Sequence, residues 1–457
     1  MTGRAGQSGA WRRALALALG LTSLGAQTRK EEPGLIPTLV FQSFTTGSAD
    51  RHADAANLFN ATALRDLRGS GAFRLLEPPA LNPPAASPNQ FWRGLGADFL
   101  VRSVSRSVAK GRLLIESECI NLATGAVVLK KSFVGETAVV GRMAHRMVDF
   151  MLARITGTPG AADSTIVFAR STAPGIQEIF GVDRDGRSPR QLTGFGSLTT
   201  FPALAGDGRL ACVTYKGGPP QIWGQLTPQG PFQLFYPRSG TPGLGLSGLA
   251  WSPDGSRLCF VQENSKGLSD IFLLEPGSGR LARLTEPGHS CFQPCWNGDG
   301  TALAFLSDRD GRTQVYTMAA DGNHARPVTA DAADKVCVAW DPRAGRIAFA
   351  AREDGSSRLY TVAADGSDRR PLAAVPEPVT SLCWAPDGRS LLLGVKTAGG
   401  TRLRLAGLDG ELRDLAESGA AGQFPQWAKN PAPLVASVQA DGHAIPEPNV
   451  KASGQFP

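Results

Sequence analysis

Trp251-Ser-Pro-Asp-Gly255 returns as Trp296-Asn-Gly-Asp-Gly300, as Trp340-Asp-Pro-Arg-Ala-Gly345 and as Trp384-Ala-Pro-Asp-Gly388. Trp427-Ala-Lys-Asn-Pro431 closes the series, and Leu204-Ala-Gly-Asp-Gly208 fits one step before it. The tryptophans are spaced 45, 44, 44 and 43 residues apart, and Leu204 lies 47 before Trp251. Self-similarity near 44 residues is the period of a four-stranded propeller blade.

Each unit reads the same way. A strand ending at Trp meets an Asp-Gly turn, and a short β run follows at 258–261, 303–306, 347–350 or 391–395. A polar loop such as 307–312 or 352–357 leads to a third strand at 270–274, 314–318 or 358–362. Asp321-Gly322, Asp365-Gly366 or Asp409-Gly410 then turns into a fourth strand, which ends in Leu284-Thr285 or Val328-Thr329. Asp-Gly between β runs supplies the positive φ angles of a tight hairpin. Two such turns per unit make an antiparallel meander. Five units start at 204, 251, 296, 340 and 384. Residues 165–193 supply late strands with no Trp strand before them, and 424–438 a Trp strand with little after it. Joined, they make a sixth blade and leave no open sheet edge. The fold expected is an α/β N-terminal domain followed by an all-β six-bladed propeller with WD40-like repeats.

Residues 33–157 do not repeat. Strands are expected at 36–44, 74–76, 98–105, 112–120 and 126–133, with a Pro-rich loop at 77–88. Helices are expected at 53–67, stopped by Gly69-Ser70-Gly71, and at 139–155. The second helix carries Met143, Met147, Met151 and Ile155 on one stripe, which reads as a core-packing face. The expected domains are 33–157 and a propeller over 164–438, with 439–457 as a disordered tail.

At the start of the chain Arg12-Arg13 precede the apolar run 14–24, and Gly25 and Ala26 follow. That is the pattern of an export signal over 1–26, too short to span a bilayer. Removing its three arginines from a net +7 leaves +4, scattered and without a basic–aromatic stripe. Nucleic-acid binding is not expected, nor is membrane insertion. The mature protein is expected to be a periplasmic monomer.

No nucleophile motif, zinc-binding H-E-x-x-H, Walker loop or dinucleotide fingerprint occurs, and the five histidines lack ligand spacing. The repeated Asp254, Asp299 and Asp387 are turn formers, and His145 reads as structural. The seven cysteines are 119, 212, 259, 291, 295, 337 and 383. Cys212 and Cys259 share one blade position, and Cys295 and Cys383 another, so they read as buried apolar residues. Cys291 and Cys295 are near enough in sequence to pair, which the sequence leaves open. No catalysis, metal or cofactor is expected.

Function should then reside on a surface. The Asp-Gly turns share one face of the ring. The opposite face carries the loops before each Trp strand and the second-to-third-strand loops. Candidate contact residues from the first set are Ser247, Ser290, Phe292, Gln293, Lys335 and Thr380. Those from the second set are Asn264, Lys266, Asp308, Arg309, Arg352 and Glu353.

The blade pattern W-S-P-D-G…L-x-F…Y…A-D-G…L-T resembles that of the TolB family of periplasmic propeller proteins. Three stretches before the blades strengthen the resemblance. These are Leu64-Arg-Asp-Leu-Arg-Gly-Ser-Gly-Ala-Phe73, Trp92-Arg-Gly-Leu-Gly-Ala-Asp98, and Ala144-His145…Asp149…Ile155-Thr156-Gly157. The resemblance implies a non-enzymatic adaptor of the Tol–Pal system, serving outer-membrane integrity and constriction at cell division. It implies docking of the peptidoglycan-associated lipoprotein Pal at the propeller mouth, and of the inner-membrane protein TolA through the mature N-terminus. Residues 27–37 are short and charged and depart from the family's N-terminal stretch. The alternatives are a propeller binding a different envelope protein, peptide or sugar, and a propeller enzyme of peptidase or lactonase type.

Overall fold

The computed structural model describes residues 36–42, 53–77, 88–109, 112–187, 189–238, 245–343, 345–353, 355–415, 422–430 and 436–438. The expected export signal and the tail from 439 lie outside these residues.

In the first domain, β1 (Thr38–Gln42) lies between β2 (Arg74–Leu76) and β3 (Phe99–Ala109), parallel to both. β4 (Arg112–Asn121) and β5 (Val127–Glu136) continue the sheet as an antiparallel meander. Alternation along the strands divides the apolar residues between two faces. Leu39, Val101, Leu113, Ile115 and Phe133 face the long helices α1 (Ala53–Gly69) and α3 (Val140–Thr156). The methionine stripe of α3 packs there, with Met143, Met147 and Met151 all fully buried. Val40, Leu100 and Ile120 face the other way, where Trp92 of a short helix α2 (Pro88–Gly94) covers them. The sequence reading did not anticipate α2. Seven residues opening on Pro-Asn-Gln are too few to show a helical period.

Six four-stranded antiparallel sheets follow, as the repeat predicts. Blades one to five run over 199–236, 246–283, 291–327, 335–375 and 379–414. Blade six joins the strand Gln423–Lys429 to Ser164–Ala173, Ile176–Asp183 and Arg190–Gln191. The ring is therefore closed by strands from both ends of the propeller segment.

The repeat residues have definite tasks. Gly255, Gly300 and Gly388 sit at φ of 68°, 73° and 65°, the left-handed region the turn after each Trp demands. The indole Nε1 of Trp296 donates to Ala250 O at 3.1 Å, and that of Trp384 to Ala339 O at 3.2 Å. Each stitches one blade to the blade before it. The Thr of Leu-Thr ties the fourth strand to the third. Thr285 Oγ1 accepts from Ile271 N and donates to Asp270, and Thr329 Oγ1 accepts from Val315 N and donates to Gln314.

Ala436–Val438 departs from expectation. The propeller was expected to reach 438, yet these residues pair antiparallel with β5 and extend the first domain's sheet to six strands. The physical reason is an available edge: β5 has unpaired backbone groups on its outer side until this strand covers them.

The linker between the domains is held tightly. Gly157 ends α3 at φ 70°, the usual left-handed helix stop. Asp149 accepts from Ala162 N at 2.7 Å and Asp163 N at 3.1 Å. Arg142 Nε and Asn430 Nδ2 donate to Asp163, joining α3, linker and blade six. A Cβ on Gly160 would lie 2.2 Å from Asp149 Oδ1 and 2.8 Å from its Cα. Gly160→Ala is therefore expected to lower stability by about 1–3 kcal/mol, as overpacking does. Urea unfolding measures this, and an unchanged midpoint would mean the linker yields freely.

Candidate functional site

The first strands of the six blades surround a central channel of about 650 Å³. Its two ends differ. At the Asp-Gly-turn end the first domain docks against blades four to six. Arg389 Nη1 donates to Ser70 O at 2.7 Å, Arg65 pairs with Asp185, and Arg343 reaches Pro159 O of the linker at 3.4 Å. The first domain thus occupies the Asp-Gly face. Among the described residues, none that lines the channel belongs to the first domain.

The wall of that mouth has a bulge in each first strand. The pairing register shifts at Ser247/Ala250, Phe292/Cys295, Val379/Ser381 and Gln423/Gln426, among others. Three residues before the Trp position the backbone turns left-handed in four blades: Phe201 (45°), Gly248 (60°), Gln293 (52°) and Phe424 (52°). Glycine tolerates this, whereas a bulky side chain is strained there, by about 1–3 kcal/mol for each such residue. Phe201, Gln293 and Phe424 all line the channel, and the two phenylalanine rings lie 4.0 Å apart. Sequence reading missed Phe201 and Phe424. Their signal was the glycine at the equivalent position 248, which marks a site needing positive φ.

The predicted contact residues fall into three groups. Ser247, Phe292 and Gln293 line the channel, and Gln293 Nε2 also donates to Val336 O at 3.2 Å. Ser290 and Asp308 bring the two loop sets together, since Ser290 N donates to Asp308 Oδ1 at 2.8 Å. Thr380, in blade five, is exposed, its hydroxyl donating to Gly394 O. Lys266 and Arg352 are exposed on the outer loops, and Asn264 is half-buried, its Oδ1 accepting from Lys266 N and Leu268 N.

The third group is engaged within the fold. Arg309 lies 4.8 Å from the Tyr316 ring centre and donates to Ser307 Oγ. Glu353 accepts from Tyr360 Oη at 2.6 Å and Arg358 Nε at 3.0 Å. Lys335 was expected on the surface, yet its side chain is wholly buried. Its Nζ donates to Asp331 Oδ1 at 2.6 Å and to Ala333 O. Burial pushes its pKa below the ordinary lysine value, while Asp331 pulls the other way. The long stem packs inward and the charge finds a partner, which a loop position in sequence does not reveal.

All seven cysteines are free, so Cys291 and Cys295 are not paired. Burial holds the thiols of Cys119, Cys295 and Cys337 up at about 12 and raises those of Cys212, Cys259 and Cys383 as well. A maleimide is expected to label the native protein far more slowly than a free thiol and to label all seven in urea, read by mass spectrometry. Rapid native labelling at any of these six would contradict the packing.

Among the described residues, one group brings histidine and carboxylate atoms within 4.8 Å of one another: His145, Asp183 and Asp185. Most of its polar atoms already have partners. Asp66 holds His145 Nδ1, and Arg65 and Arg187 sit on Asp185. The group is an ion-pair network at the domain junction. Among the described residues, no helix is long and apolar enough to cross a membrane.

Comparison with known proteins is consistent with this architecture. A family model described as the TolB beta propeller domain matches residues 152–440. A "Protein TolB homolog" of Chlorobium chlorochromatii is 29% identical over 283 residues, 59% of this chain and 61% of that protein. The match thus spans less than two thirds of that relative. The "Tol-Pal system protein TolB" of Anaeromyxobacter dehalogenans is 31% identical over 303 residues, 62% of this chain and 67% of that protein. The crystal structure of TolB from Acinetobacter baumannii superposes with a TM-score of 0.70 at 19% identity, covering 87% of this chain and 98% of that one. At that identity the likeness is one of fold.

Proposed function

This chain belongs to the TolB β-propeller family, and we propose that it is a non-enzymatic periplasmic adaptor that binds a peptidoglycan-associated lipoprotein at the open propeller mouth. The observation that carries this reading is the asymmetry of the channel. One end has the first domain docked beside it through Arg389 and Arg65, and the linker held by Arg343. The other presents Phe424, Phe292 and Gln293 with polar loops around them. An apolar centre with a polar rim is the usual anatomy of a protein-binding surface. The relatives' names place them in the Tol–Pal system, which supports Pal as the partner. Through that system the protein would serve outer-membrane integrity and constriction at division. A TolA contact through the mature N-terminus is part of the same reading.

The test is binding of the purified mature protein to the soluble domain of its own bacterium's Pal-like lipoprotein. Absence of measurable affinity sinks the reading, and capture of a different envelope protein at the mouth would favour a generic binder. Two charge reversals separate surface from scaffold. Arg352→Glu changes an exposed loop charge and is expected to weaken binding about three- to tenfold with stability kept. Arg309→Glu breaks the stack on Tyr316 and the bond to Ser307, so it is expected to lower stability as well. If Arg352→Glu binds as wild type does, the outer loop of blade four is not part of the contact.

A further inference from the structure

His145 sits where the two domains meet. It lies on α3, and only 3% of it is exposed. Its Nδ1 is 2.6 Å from Asp66 Oδ2 on α1. Carboxylate oxygens of Asp183 and Asp185, in the turn that follows the strand Ile176–Asp183 of blade six, lie within 4.8 Å of a ring nitrogen. Carboxylates from two domains thus converge on one imidazole.

The surrounding charges are directed to other partners. Arg65 of α1 and Arg187 of the blade-six turn both pair with Asp185. Arg184 of that turn reaches Asp387 of blade five at 3.8 Å. On α3 itself, Arg142 pairs with Asp163, Asp149 accepts from the linker backbone, and Arg146 lies in the field of Asp149 and Asp163. Asp185 Oδ1 is buried and receives no hydrogen bond. A second donor from the imidazole is what this arrangement lacks.

We propose that protonated His145 is a pH-dependent latch between the first domain and blade six of the propeller. The imidazolium has two N–H donors, one for Asp66 and one for the Asp183–Asp185 turn. Neutral imidazole keeps one donor and turns a lone pair on its other nitrogen toward a carboxylate. Burial alone would lower the ring's pKa, but the hydrogen bond to Asp66 and the charges of Asp185 and Asp183 outweigh it and hold the pKa above the ordinary 6.5. A group raised in this way contributes docking energy that is fully present below its ordinary pKa. That contribution is lost as pH rises through the value in the docked state. The domains should therefore grip at mildly acidic pH and loosen as the medium becomes alkaline. This holds whatever partner the mouth binds.

The experiment is amide hydrogen exchange on the full mature chain at several pH values from 5.5 to 8.5, corrected for intrinsic rates, with the His145 titration followed by NMR. Opening of peptides spanning 142–149 and 183–187 is expected to rise about tenfold across that range. Peptides from blade three should stay flat. His145→Gln should remove the dependence. The proposal is overturned by a flat wild-type profile, by the same rise in His145→Gln, or by a ring titrating below 6.5. If His145→Gln does not fold, Asp183→Asn replaces it. That variant must lower the His145 midpoint and shift the opening profile with it, and an unmoved midpoint overturns the latch.

Discussion

Trp384→Ala is expected to lower stability by about 3–5 kcal/mol, the usual range for a large aromatic removed from a core. Trp384 is 5% exposed and packs with residues of blades four and five in one cluster. Its loss leaves a cavity between the blades and removes the Nε1 bond to Ala339 O. The ring is closed, so a weakened seam is felt by the whole propeller rather than by one sheet. Urea denaturation followed by intrinsic fluorescence reads the effect, with a Trp384→Phe control retaining much of the packing. A loss under about 1 kcal/mol would show that neighbouring side chains refill the space, against the close packing of this seam.

Phe424→Gly is expected to reduce affinity for the Pal-like lipoprotein at least tenfold while leaving the fold in place. The backbone at 424 is left-handed, at φ 52°, so glycine relieves strain there as it removes the ring. Those two effects on stability oppose each other, because the stack on Phe201 at 4.0 Å is lost. The ring lines the channel, and aromatic anchors near the centre of an interface commonly carry about 2 kcal/mol or more of binding. Calorimetric titration against the lipoprotein's soluble domain reads the loss. Unchanged affinity would remove the aromatic wall from the binding surface.

The propeller was legible because each blade repeats its chemistry at a fixed period. Trp, Asp-Gly and Leu-Thr each satisfy a local need, so their recurrence maps directly onto turns, stitches and strand ends. The closing blade followed from an incomplete start at 165 and an incomplete end at 424. The α3 stripe was legible for the same reason, since Met143, Met147 and Met151 repeat at helical spacing.

Three features were not legible. Strand Ala436–Val438 is three residues long, and its place is decided by the free edge of β5. The side on which the first domain and its linker dock rests on Arg389, Arg343 and Arg65, whose partners are distant in sequence. The left-handed Phe201, Gln293 and Phe424 break the rule that such positions take glycine. Local sequence reasoning named Gln293 only as a loop residue and passed over Phe201 and Phe424, yet all three gather in the channel wall. Lys335 illustrates the opposite error, a charged loop residue that is buried because Asp331 meets it.

Site-specific photo-crosslinking in living cells tests the central claim most directly, with the reactive group placed at Thr380 on the open mouth or at Asn323 on the Asp-Gly face. The account predicts that the Thr380 position captures a peptidoglycan-binding lipoprotein and the Asn323 position does not. Capture of that lipoprotein from Asn323 alone, or from neither position while the protein is folded and exported, would contradict it.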